Sequence, residues 1–168
     1  YNGISSEYNT KGILVFECEI KNGKKHGLFR EWDEKGRIKS QGNFIDGKEN
    51  GLFKEWFETG QLKREFYVKG VKKHGLEKQW YNNGQLKFEG QFVLNKRNGT
   101  FKSWFKNGNL LRISNFTNGT ENGNCKEWYE NGQLEYEYNF KNGQRDGLQR
   151  KFYENGQLEW EDNYKDDK

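Results

Sequence analysis

The chain has 168 residues, of which 31% are hydrophobic and 32% charged, with a net charge of +4, no proline and two cysteines. Its length suits one globular domain, but it holds too few apolar residues for a thick two-sided core, while 17% aromatic residues at regular spacing argue against disorder. No apolar run of about 18 residues is present to cross a bilayer as a helix, and no basic-then-apolar leader opens the sequence.

From the N-terminus, an aromatic stands at Tyr8 and returns every 24 residues, at Trp32, Trp56, Trp80, Trp104, Trp128 and Phe152. Glycine follows each by four positions and an aliphatic by six (Leu14, Ile38, Leu62, Leu86, Leu110, Leu134, Leu158). A second glycine precedes each by five. Self-similarity at a fixed short period marks a repeat array in which each unit contacts mainly its neighbours. The units run 1–24, 25–48, 49–72, 73–96, 97–120, 121–144 and 145–168, one continuous array. The first, with Asn9, Thr10 and Lys11 before Gly12 and no Trp, departs most and reads as an edge unit. No distinct capping unit closes either end, which suits a piece of a longer protein. The compartment is left open: cytoplasmic, or secreted or cell-surface if a leader was removed.

Within a unit, Asn-Gly (Asn83-Gly84, Asn107-Gly108, Asn131-Gly132, Asn155-Gly156) is the strongest local signal. Between aromatic and leucine positions it predicts a two-residue hairpin turn with both residues at positive φ. A second turn of about six residues, such as Ile45 to Asn50, then joins the units. This register sets Phe57 opposite Leu62, Trp56 opposite Lys63 and Lys54 opposite Glu65. The fold expected is all-β: an elongated single-layer antiparallel meander of seven 24-residue hairpin repeats, with no helix.

One face would carry an aromatic and leucine ladder (Phe57, Leu62, Tyr81, Leu86, Phe105, Leu110 and their successors) as the buried side. On the same face Phe44 would lie between Gly27 and Gly51, a ring covering bare backbone. The other face would carry the Trp row with lysine stems between indoles. Beside it, Lys54 would face Glu65, Lys126 Glu137 and Arg150 Glu161, with Lys102 facing Ile113 as the exception.

The unit, Gly, four residues, Trp-Tyr-x-Asn-Gly-Gln-Leu, then an aromatic near the second turn, resembles the variant form of the MORN (membrane occupation and recognition nexus) repeat. It is plainest at Trp80 to Leu86, Trp128 to Leu134 and Phe152 to Leu158, and all seven units follow it. The resemblance implies a meander of hairpins that acts as a scaffold and binds protein. Bacterial proteins of this kind are often labelled antitoxin components, and the wider family is linked to membranes and phospholipids.

Little in the chain points to catalysis. His26 and His74 stand at turn positions before glycine, about 20 Å apart, too far to share a metal or a proton. Cys18 and Cys125, in the first and sixth units, would lie roughly 40 Å apart, beyond disulfide reach, and neither faces a histidine. Gly42 to Lys48 starts like a phosphate-binding loop, but Glu49 stands where Ser or Thr is required and no helix follows. Paired Lys and Glu side chains are more economically sheet stabilisers than acid-base machinery. We expect no enzyme, no metal and no cofactor.

Two surfaces are candidate sites. Trp32, Trp56, Trp80, Trp104 and Trp128 would stand in line on the outer face, and exposed contiguous aromatic surface marks partner sites. Lys24, Lys25, Lys48, Lys72, Lys73, Lys96 and Arg97 would form a basic edge at the outer turns. Residues 1–124 hold 22 basic and 14 acidic side chains against 7 and 11 in 125–168, so an anionic surface would be drawn to the N-terminal part. Another protein is the first partner expected. An anionic phospholipid, or a glycan or cell-wall surface bound through the basic edge or the Trp row, comes second, and nucleic acid ranks below both.

Overall fold

A computed structural model describes all of residues 1–168 as strands and turns, with no helix. The chain divides into two compact units, 1–84 and 85–168. In the first, β1 (Gly3–Tyr8), β2 (Leu14–Lys21), β3 (Lys24–Trp32), β4 (Ile38–Ile45), β5 (Lys48–Trp56), β6 (Leu62–Lys69) and β7 (Lys72–Trp80) pair antiparallel in chain order. In the second, β8 (Leu86–Val93), β9 (Lys96–Arg97), β10 (Gly99–Trp104), β11 (Leu110–Thr117), β12 (Thr120–Glu121), β13 (Gly123–Trp128), β14 (Leu134–Lys141), β15 (Gln144–Arg145), β16 (Gly147–Phe152) and β17 (Leu158–Tyr164) do the same. The short β9, β12 and β15 prolong the strands that follow them and pair with the ends of β8, β11 and β14. Each unit is thus the expected all-β meander of hairpins.

The two kinds of turn are the reverse of the expectation. The tight two-residue turn is the outer one: Asp46 and Gly47 have φ of 50° and 82°, and Ile45 pairs with Lys48 directly across them. Both central residues at positive φ define the I′ hairpin, whose twist matches that of the strands. The Asn-Gly turn is longer. The Gly156 amide donates to the Tyr153 carbonyl, the Tyr153 amide to the Gln157 carbonyl, and of Asn155 and Gly156 only the glycine has positive φ. That is a type I turn closed by a glycine bulge. Asn155 belongs there because its Oδ1 accepts the Gln157 amide at 3.0 Å.

This geometry moves the ends of the register. Phe57 lies in the turn rather than opposite Leu62, and a bulge between Glu55 and Trp56 sets Trp56 against Leu62 instead of Lys63, which is left without a partner in the register. Further along the strand the expected pairs hold: Lys54 with Glu65, Lys126 with Glu137, Arg150 with Glu161, and Lys102 with Ile113. At the outer end two extra residues are taken up beside the second glycine, where Gly51 sits at φ 91°. Phe44 therefore faces Gly27 on one side but Glu49, not Gly51, on the other.

Hydrogen bonds to main-chain carbonyls tie successive repeats at both edges. The bulge frees the carbonyl of the second residue of each outer strand. The next turn's second residue then donates to it: Gly47 to Lys25 at 2.8 Å, Gly119 to Arg97 at 2.8 Å and Gly143 to Glu121 at 2.9 Å. At the inner edge the Asn107 side-chain Nδ2 donates to the Glu130 carbonyl and the Asn131 Nδ2 to the Glu154 carbonyl, one repeat further on. Both sets satisfy backbone groups that would otherwise need water.

The buried side is not the Tyr and Leu ladder. Its members are at most half-buried, and Tyr153 and Leu158 of the last repeat are half exposed. The core is a column three residues before each aromatic, with its cross-strand partners. In the first unit Phe29 and Phe53 are buried, with Phe16, Phe44 and Phe66 packed against them and Cys18 and Val68 between. Ring centroids follow at 5.6, 5.5, 5.9 and 5.7 Å from Phe16 through Phe29, Phe44 and Phe53 to Phe66, within the range of favourable aromatic pairs. In the second unit Phe101 sits among Phe88, Phe92 and Phe116. Large rings alternate with small partners: Phe53 covers Gly42 and Phe101 covers Gly90, so closely that a Cβ on either glycine would enter the ring. These are the glycines that use a ring as a roof.

Candidate partner-binding groove

The five candidate tryptophans are all half-buried; each ends a strand, and four pair with the aliphatic beyond the turn: Trp32 with Ile38, Trp56 with Leu62, Trp104 with Leu110 and Trp128 with Leu134. They are not a free-standing row of indoles. In the first unit, Trp32 and Trp56 line a groove of about 820 Å³ with Val15, Ile38 and Phe57.

The rest of its wall is charged. Glu31, Asp33, Glu34, Glu55 and Glu58 line it, against Lys39 and Lys63. Asp33 and Glu58 are both held by Arg37, at 2.6 and 3.3 Å, and Glu55 shares Arg64 at 3.4 Å. The Arg37 bond holds the Asp33 carboxyl below its ordinary range. Glu31 meets only the Ser40 hydroxyl, which donates to it at 2.7 Å. Glu34 is exposed. These carboxylates were absent from the sequence-based site, although a signal existed: Glu stands immediately before the aromatic in the first three units, at Glu7, Glu31 and Glu55.

The seven basic residues of the expected edge separate into two sets. Lys24, Lys48, Lys72 and Lys96 flank the outer turns and are exposed. Lys25, Lys73 and Arg97, one residue further on, turn onto the core face. The Lys25 ammonium lies 4.8, 5.4 and 5.3 Å from the Phe16, Phe29 and Phe44 rings. The Arg97 guanidinium lies 5.4 and 5.0 Å from Phe101 and Phe116, in cation–π range. Lys73 donates to Glu77 at 2.7 Å.

Glu77 occupies the column position that phenylalanine holds in neighbouring repeats, and is 1% exposed. Burial would raise its carboxyl, but donors on Lys73, Gln79 and Arg64, at 2.7, 2.8 and 2.8 Å, hold it below the ordinary value. In the second unit Arg112 bridges Glu121, Glu127 and Ser114 on the same face, beside a hollow of about 570 Å³ floored by Phe88, Phe101 and Phe116.

The other reactive groups are engaged structurally. His26 is paired with Asp46 through Nδ1 at 3.4 Å; its main chain lies beside Cys18, closer than the simple register implied, but the imidazole points to the turn. Burial pushes both the Cys18 and the Cys125 thiols up. No cluster of three or more His, Cys, Asp or Glu suits a metal ion, and no helix is long and apolar enough to cross a membrane.

Comparison with known families finds the MORN repeat variant over residues 25–46, 49–69, 73–93, 97–118, 121–142 and 145–166. These six segments begin where the second to seventh units begin, and the divergent first unit lies outside them. No curated protein matches the chain.

Proposed function

The chain belongs to the MORN repeat variant family, and on that footing we propose that it is a non-enzymatic scaffold that binds another protein through its tryptophan positions. The observation that carries this reading is the Trp32 and Trp56 groove, where aromatic and aliphatic side chains line one hollow together with charged ones, a mixture suited to a protein interface. Neutralisation of a toxin by an antitoxin-like component would be one case of such binding. Both thiols are buried with raised pKa, which disfavours thiolate chemistry at either cysteine.

The exposed Lys24, Lys48 and Lys72 favour a second reading, attachment to an anionic lipid or glycan surface. One experiment separates the two. Capture of partners from native extract is compared for the parent, for Trp32→Ala/Trp56→Ala and for Lys24→Gln/Lys48→Gln/Lys72→Gln, with pelleting on phosphatidylserine vesicles at low and high salt. Loss of a captured protein in the tryptophan variant alone, with unchanged melting, supports the scaffold. Undiminished capture with salt-sensitive vesicle binding lost only in the lysine variant supports the surface reading and overturns the first.

A further inference from the structure

We infer that the Trp32 and Trp56 groove takes a basic segment of its partner, an extended stretch whose Lys or Arg side chains lie across the two indoles. This deepens the scaffold reading and rests on it. Five carboxylates line the groove against two lysines, in a chain whose net charge is +4. The local sign therefore opposes the global one.

Within that rim, Arg37 already satisfies Asp33 and Glu58, and Glu55 shares Arg64. Glu31 and Glu34 have no cation of their own, and the hydroxyl of Ser40 fixes the Glu31 carboxylate without neutralising it. A cation entering the groove meets indole side chains and a held carboxylate in one hollow. Aliphatic stems of Lys or Arg cover indole surface while their heads reach water or carboxylate. An anionic segment would face the same carboxylates and be repelled.

The spacing constrains the partner further. Trp32 and Trp56 are equivalent positions of successive hairpins, two strand spacings or about 10 Å apart. A polyproline II segment advances about 3.1 Å per residue, so residues i and i+3 span that interval. The groove accordingly selects basic residues three apart.

The test titrates the protein with two blocked peptides, Pro-Arg-Pro-Pro-Arg-Pro and its counterpart with Glu in place of Arg. It follows the indole N–H resonances of Trp32 and Trp56, assigned by Trp→Phe variants. The arginine peptide should shift both saturably and the glutamate peptide neither. Glu31→Gln/Glu34→Gln, which keeps an acceptor for Ser40, should weaken binding about fivefold, the scale of two exposed charge pairs. Unmoved indoles, equal binding of the two peptides, or unchanged affinity in the Gln variant with an unaltered melt would overturn the inference. If peptide binding fails while capture still depends on Trp32 and Trp56, the scaffold reading survives and the basic partner falls. If the peptide binds in this charge-dependent way while capture is indifferent to the tryptophans, the groove's preference stands and the scaffold reading falls.

Discussion

Phe53 roofs Gly42: the ring lies where a side chain on the glycine would begin, while its other face stacks on Phe66 at 5.7 Å and 23°. Gly42 has no positive φ, so glycine is required there by space alone. Gly42→Ala should destabilise the first unit by about 1 to 3 kcal/mol, the scale of overpacking in a filled core. Phe53→Ala should cost about 3 kcal/mol, and the double variant less than the sum, because the alanine at 42 partly fills the vacated space. Urea unfolding of the four proteins measures this; additive costs would show that the ring and the glycine are independent.

Val71 stands in an outer turn at φ 68°, beside Gly70 at 58°. A β-branched side chain there carries about 1 to 2 kcal/mol of strain. Val71→Gly should relieve it, stabilising by up to about 1 kcal/mol after the entropy of the added glycine, visible as a higher urea midpoint. A lower midpoint would place the turn in another geometry.

Glu77 ties stability to acid. Its folded-state pKa is depressed, so its contribution is complete above the unfolded carboxyl value and declines as pH falls through the lower folded one. The charges that face it are Arg64 and Lys73. Glu77→Gln should cost about 3 kcal/mol near neutrality, as expected for breaking a buried ion cluster. Below about pH 4 the difference between variant and parent should shrink. Equal slopes of stability against pH in both proteins would detach Glu77 from the acid response.

Cys18 and Cys125 are buried, with thiols raised by burial. A thiol reagent such as Ellman's should label neither in the native protein at pH 8 within minutes, and both in urea. Rapid labelling of one alone would report local opening of its strand pair.

The 24-residue period made the hairpin order and the middle of each strand legible, as the Lys54–Glu65 and Lys126–Glu137 pairs show. The strand ends were not legible, because Asn-Gly serves equally in a I′ hairpin turn and at the end of a type I turn with a bulge. The choice depends on whether Asn155 adopts positive φ, which its identity does not decide. Misplacing the turn by one bulge moved Phe57 and its equivalents onto the core in place of Phe29 and Phe53. The core column was also hidden by its variety: Phe29, Phe53, Glu77, Phe101, Cys125 and Gln149 occupy one repeat position. A family signature that averages over copies loses such a column. The tryptophans were easy to find, and Glu31 and Glu55 stand beside them in the sequence, but that they share one groove depends on how adjacent hairpins pack.

The fit between Phe53 and Gly42 crosses the seam between two copies. Complementarity is therefore stored at joints, and copies are not interchangeable bricks. Excision of residues 49–72, a change that recombination between like segments readily makes, would keep every turn and the period. It would also bring Gly42 against Glu77 and discard Arg64, leaving that buried carboxylate with Lys73 as its one remaining cation. Growth and shrinkage of such an array are thus filtered seam by seam, and the order of its copies is heritable information in its own right.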